Sequence, residues 1–368
     1  MAGFVLCRIL LLLLPFKSVW ESHRAVEETT NNNNNMTLPL LTRSALKSIE
    51  ALISTDAGGR GMKHLIVEGD FEKASIVFGS LPPASHVLLL SGFPCCVQHK
   101  PPTETDGPPG TAALARAASQ LGHAVTVLTE DCNERVFAAA LEPLLVPQQE
   151  GEDKTTAGTV ELECFPSSLE AKHTERLQEL ADSCSLIVAC ERAGPAKDGV
   201  CYTMRGIDMN QHGLVGPLHR VVEMAHDKPF LAIGDGGNEL GMGRVIDKVR
   251  KHIPRGDEIG CVVAANHLVA ASVSNWGGYA LAAGAALVRA SMESSKTNDD
   301  NELRNAAQTW TNKCLPTEDE EVALLQRCVK EGCRDGVSGK VEATVDGMPL
   351  ETSMECLRSI RETATNLS

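Results

Sequence analysis

Side chains able to do chemistry gather beside glycine at a few places in this sequence. The densest is Gly234–Gly243, which reads GDGGNELGMG. Glycine-rich backbone costs entropy to order, but it reaches positive φ and approaches a ligand closely. Asp235, Asn238 and Glu239 set two carboxylates and an amide at that turn, with the amides of Gly236 and Gly237 between them. The spacing is neither the dinucleotide fingerprint nor a P-loop, which needs Lys followed by Ser or Thr. A tight strand-to-helix turn capped by Asp235 or Asn238 is the plainer alternative. Glu104–Gly110 reads ETDGPPG: Asp106-Gly107 signals a turn, and Pro108-Pro109 opens a helix. Gly107 and Gly110 would then face an anion at a helix N-terminus, or the segment is simply a well-capped start. Glu191-Arg192 and Tyr202–Asp208, which contains Arg205, add guanidinium forks suited to carboxylates. The same arginines could instead pair with Glu191 or Asp208. Asn275, in SNWGG, contacts a ligand or caps the following helix, and His267 is a base or a structural histidine.

These segments need a scaffold that brings them together. Short apolar runs predict strands at 64–67, 75–78, 86–90, 124–128, 160–164, 185–190, 229–233 and 260–264. Helical stretches lie between them, most clearly at 111–121, 169–181 and 218–226, and again at 303–312, 318–330 and 351–363. Strands alternating with helices imply parallel pairing with right-handed crossovers. The expected fold is a three-layer α/β, Rossmann-like arrangement: a mostly parallel sheet with helices on both faces. Ligands collect beyond the carboxyl ends of such strands, and each glycine-rich segment named above follows a predicted strand or starts a helix.

The totals set outer limits. The chain has 368 residues, 43% hydrophobic and 22% charged, with aromatics at 4%. Its core must therefore rest on Val, Leu, Ile and Ala, the diet of buried parallel strands. A net charge of −14 argues against nucleic acid and against an anionic membrane surface. It leaves a small anionic substrate open, because local arginines override a global field. The 13 cysteines sit mostly in apolar runs and read as buried free thiols in a reducing compartment. Residues 1–40 read as a leader and asparagine run outside the fold, with an apolar stretch resembling a secretory signal. Residues 41–368 read as one α/β domain, with exposed stretches at 150–158 and 291–302.

Six segments in order carry a resemblance: GFPC at 92–95, ETDGPPG at 104–110, ERAG at 191–194, YTMRG at 202–206, GDGGNELGMG at 234–243 and SNWGGYAL at 274–281. Together they resemble the C-terminal domain of the D-glutamate cyclase-like family. The resemblance spans about residues 40 to 365 and implies reversible cyclisation of D-glutamate to 5-oxo-D-proline with loss of water. It also implies a mitochondrial matrix location in animals. The family's long form has a hydro-lyase-like N-terminal domain not seen in this sequence, so a short form is expected.

On that reading Arg192 and Arg205 hold the two substrate carboxylates. Asp235 or Glu239 is the general base, and Asp106 or Glu191 the general acid. Tyr202, Asn238, Asn275 and the amides of Gly107, Gly110, Gly236 and Gly237 complete the binding set. No cofactor is expected; Mg²⁺ or Mn²⁺ on Asp106, Asp235 and Glu239 is the open alternative. The partner is the small-molecule substrate, with homo-oligomerisation open. A ligand-binding module without turnover and a phosphate-binding enzyme are the competing classes.

Overall fold

Six apolar runs pair into one sheet: β1 His86–Gly92, β2 Ala124–Glu130, β3 Val160–Phe165, β4 Leu186–Arg192, β5 Phe230–Gly234 and β6 His267–Ala270. The computed structural model describes residues 36–145, 157–295 and 299–367. Most of the expected leader and most of the polar stretch at 150–158 lie outside the described residues. The strand order is β3-β2-β1-β4-β5-β6, and every neighbouring pair is parallel. The α/β expectation holds, with the sheet wholly parallel. The chain order reverses between β1 and β4, which makes that gap the topological switch point where such sheets bind ligands.

Alternation along the strands feeds two cores. Val87, Leu89, Leu186 and Val188 join one, while Leu88, Leu90, Ile187 and Ala189 join the other. The first core is closed by α1 Leu40–Ile53, α2 Asp70–Gly79, α3 Pro108–Gln120 and α4 Glu134–Leu145. The second is closed by α5 Ala171–Ser183, α6 Arg220–Met224 and α7 Ile246–His252, after which comes the short α8 Gly256–Ile259. The C-terminal helices α9 Ser274–Ser294, α10 Asp300–Cys314, α11 Glu318–Lys330 and α12 Leu350–Thr365 return to the first face.

Helix α9 is buried on all sides for most of its 21 residues. Small residues make that packing feasible: a Cβ on Gly278 would lie 2.6 Å from the Cα of Gly110 in α3. Full burial of Leu281, Leu287 and Val288 contributes about 1.5–3 kcal/mol each. Any side chain at Gly278 would push α9 off α3, and with it the first turn of α9, which borders the site.

Three predicted strands are not strands. Residues 75–78 lie in α2, whose buried Phe71, Ala74, Ser75 and Phe78 have helical spacing; that period outweighs the β-propensity of Ile-Val-Phe. Residue 64 ends a 3₁₀ turn, Met62–His64, and 65–67 continue as turn and irregular backbone. Residues 260–264 spend their backbone on the glycine-rich loop instead: Cys261 N–H donates to Gly237 O and Gly243 N–H to Val263 O. The sixth strand therefore starts at His267, at the amino edge of the sheet. There His267 Nδ1 lies 3.5 Å from Asp70, far in the topology from the carboxyl edge. Helices α9 and α10 together cover most of 291–302, leaving a short link.

Candidate active site

Four structural segments deliver carboxylates to the carboxyl edge beside the switch point. The first is the loop after β1, which ends in Glu104 and Asp106 before α3. Gly107 there has φ 106°, and a Cβ on it would press to 2.9 Å from the Cβ of Glu191. The second is the end of β4. Its pairing with β1 shifts register, so that Ser91 opposes Cys190 and Gly92 opposes Arg192. Glu191 is the extra residue and holds φ 42°. A bulge at a site re-aims a side chain at the cost of local strain. The third is the turn after β5, with Asp235 and Glu239. The fourth is a tight turn near the C-terminus, where Asp346 has φ 55°.

Glu104, Glu191, Asp235, Glu239 and Asp346 line one cavity of about 270 Å³ together with Arg60 and Arg205. Phe93, Met204 and Ile207 give it apolar walls. Carboxylate oxygens of Asp106, Asp235 and Asp346 fall within 4.8 Å of one another, and so do those of Glu191, Asp235 and Glu239. Asp235 belongs to both groups.

One cation sits against this cluster. Arg60 Nη2 donates to Asp346 at 2.6 Å and also to Asp235. Arg205 lies at the rim and donates to Val337 O at 3.2 Å. Among the described residues no carboxylate oxygen comes within ion-pair distance of Arg205. Acid outnumbers base here, and the electrostatics follow. Burial, then the neighbouring Asp346, pushes the Asp106 carboxyl up to about 8. Burial and the charge of Asp235 raise Glu191 well above the carboxylate range. Burial raises Glu104 and Asp235 in the same direction, with Arg60 opposing at Asp235. Buried like charges that cannot all ionise retain protons near neutral pH.

The residues expected at the site divide. Asp106, Glu191, Asp235, Glu239, Asn238 and Arg205 converge. Arg192 does not: it is fully buried, its Nη2 donates to Glu130 Oε1 at 2.6 Å and to Gly216 O at 3.1 Å, and its side chain is not part of the cavity lining. Tyr202 turns its hydroxyl outward to Asp198 at 2.8 Å. The expected amide cradle is also occupied from within. Glu239 takes the N–H groups of Asp235, Gly236 and Gly237 at 3.1, 2.6 and 2.7 Å. Asn275 Oδ1 takes those of Gly107 and Gly110, both at 2.9 Å, while its Nδ2 donates to Thr105 O. These residues therefore organise the loops around the cavity.

Arg60, Glu104 and Asp346 were not expected. Arg60 lies in Gly58-Gly59-Arg60-Gly61, an arginine flanked by glycine that resembles the other site segments. Glu104 opens the ETDGPPG segment, and Asp346-Gly347 is a turn pair. Composition thus offered a signal for each, though nothing linked Arg60 to Asp235 across the intervening chain.

A wholly parallel sheet with an acid-floored cavity at its switch point is a scaffold for chemistry on a small polar molecule. Residues 49–361 match the family described as D-glutamate cyclase-like, C-terminal, and the chain belongs to that family. The human protein named "D-glutamate cyclase, mitochondrial" is 35% identical over 337 residues, which cover 87% of this chain and 52% of that relative. The chain thus spans about half the length of this curated relative. Among the described residues, no helix is long and apolar enough to cross a membrane.

Proposed function

We propose that this chain interconverts D-glutamate and 5-oxo-D-proline, and that the cavity around Asp235 is where it does so. The observation that carries the reading is the combination of proton-holding carboxylates with an arginine that has no carboxylate partner. Cyclisation forms a bond from the α-nitrogen to the γ-carboxyl carbon and breaks one carbon–oxygen bond there. Two protons leave the ammonium, and both end on the departing oxygen, which becomes water. A site for this reaction needs carboxylates that can both accept and supply protons near neutral pH.

Asp235 is the base: where Arg60 holds it ionised against the effect of burial, it takes the proton from the amine. Asp106 or Glu191, protonated through burial, delivers one to the oxygen that leaves. Arg205 receives one substrate carboxylate at the rim, and the unused donors of Arg60 receive the other, in place of Arg192. Folding glutamate so that amine and γ-carboxyl meet supplies proximity. The apolar walls of Phe93 and Met204 exclude water from the ring as it closes.

A divalent cation is the second reading, favoured by the two acidic groups that share Asp235. Mg²⁺ or Mn²⁺ prefers such hard oxygen donors, and at this position it would polarise the γ-carboxyl. The human relative's name includes the mitochondrion, and we extend that location to this chain as part of the same proposal. The deciding assay incubates the purified chain with each compound separately. Conversion in both directions supports the reading, whereas binding of 5-oxo-D-proline without conversion leaves a ligand-binding module.

A further inference from the structure

A second cavity, of about 180 Å³, opens between α3, α4 and α11 and shares no lining residue with the acid-floored one. Ala112, Ala113, Ala140, Pro143, Leu144 and Leu324 are among its lining residues, and the exposed wall is largely apolar. The charged groups at its rim are engaged elsewhere. Arg116 pairs with Glu320 at 3.0 Å, and Arg327 with Glu142 at 3.2 Å.

Glu321 breaks the apolar lining. It is 2% exposed, and Tyr279 Oη donates to its Oε1 at 2.6 Å. Its Oε2 is buried and has no partner. A buried acceptor left unmade is expensive, and neither the proposed chemistry nor the sheet uses this one. Burial pushes the Glu321 carboxyl up to about 7, so above that pH Oε2 is an unprotonated acceptor for an incoming donor. Tyr279 lies one turn beyond Asn275 on α9. An occupant would therefore be one hydrogen bond from the helix that frames the acid-floored cavity.

We propose that this cavity is a second ligand site, which takes a compact apolar molecule carrying one hydrogen-bond donor for Glu321 Oε2. The proposal does not rest on the cyclase reading. Apolar cavities of about 150 Å³ accept a benzene ring, so ring-sized probes suit the space. Phenol and benzene have nearly the same shape and differ by the donor.

The test titrates the full chain with each probe and follows the methyl resonances of Leu144 and Leu324, which line the cavity. Phenol is expected to shift both saturably and to bind about tenfold or more tightly than benzene. Glu321→Leu should erase that preference, and Ala140→Met, which fills the space, should weaken both probes. Equal affinity for phenol and benzene in the unaltered chain would overturn the proposal, as would the absence of a saturable shift. That comparison needs no variant, so it stands even if a substitution impairs folding.

Discussion

Asn275 and Asp106 clamp each other where α9 meets the loop before α3. The Asn275 backbone N–H donates to Asp106 Oδ1 at 2.8 Å, and the Asn275 side chain takes the N–H of Gly107 at 2.9 Å. Ser274 N–H also donates to Asp106, at 2.9 Å. Asp106 thus satisfies two of the orphan donors that open α9, from a different element. The helix terminus favours its anion, yet burial wins and holds its proton up to about 8.

That balance fixes a pH dependence of stability. In the unfolded chain an aspartate titrates near about 3.9; in the folded chain Asp106 titrates near about 8. Between those values the folded state binds a proton that the unfolded state has released, so stability falls as pH rises. The contribution is complete below the lower value and gone above the upper one. Glu104, Glu191 and Asp235 shift in the same direction. Melting temperature should drop from pH 6 to pH 8, and drop less in Asp106→Asn. A rise over that interval would contradict the assignment.

The same proton governs turnover if Asp106 is the acid. Activity should fall on the alkaline side with an apparent value near 8, and Asp106→Asn should remove that limb. An alkaline limb unchanged in this variant would transfer the role to Glu191.

The two arginines first grouped as substrate ligands should separate cleanly. Arg192→Leu leaves Glu130 buried without its partner, which costs about 3–5 kcal/mol, measurable by denaturant unfolding. Arg205→Ala removes an exposed cation and should change stability by less than about 0.5 kcal/mol. Its effect belongs in KM, which should rise about tenfold or more. A large stability loss in Arg205→Ala with unchanged KM would reverse these roles.

A bound divalent cation would offset the repulsion around Asp235. Added Mn²⁺ should raise the melting temperature, by the equivalent of about 2.7 kcal/mol at a hundredfold excess over Kd. The rise should be larger at pH 8 than at pH 6, since the ligands must shed protons. Melting and activity both unmoved by Mn²⁺ and by exhaustive chelation would remove the metal from the account.

The sheet was legible because its central strands are buried on both faces and read as unbroken apolar runs, such as Val87–Leu90 and Ile187–Ala189. Applying the strand-end rule to them located Glu191 and Asp235, and the helix start in ETDGPPG located Asp106. The strand-end rule misjudged Arg192, which pairs with Glu130 at the end of β2, a partner that nothing local in the sequence reveals. Arg60 and Asp346 lie in turns that follow no strand, and only the three-dimensional packing joins them to Asp235. The amides of Gly236 and Gly237 looked available because nothing local reveals that Glu239 folds back onto them.

Asp235 is the residue on which both acidic groups and Arg60 meet, so its substitution bears most directly on the account. The measurement is the turnover of D-glutamate and of 5-oxo-D-proline by purified wild type and Asp235→Asn, with melting curves for both. The account predicts conversion by the wild type and a loss of about 10²-fold or more in the variant, with the fold retained. Turnover by Asp235→Asn at the wild-type rate would contradict it.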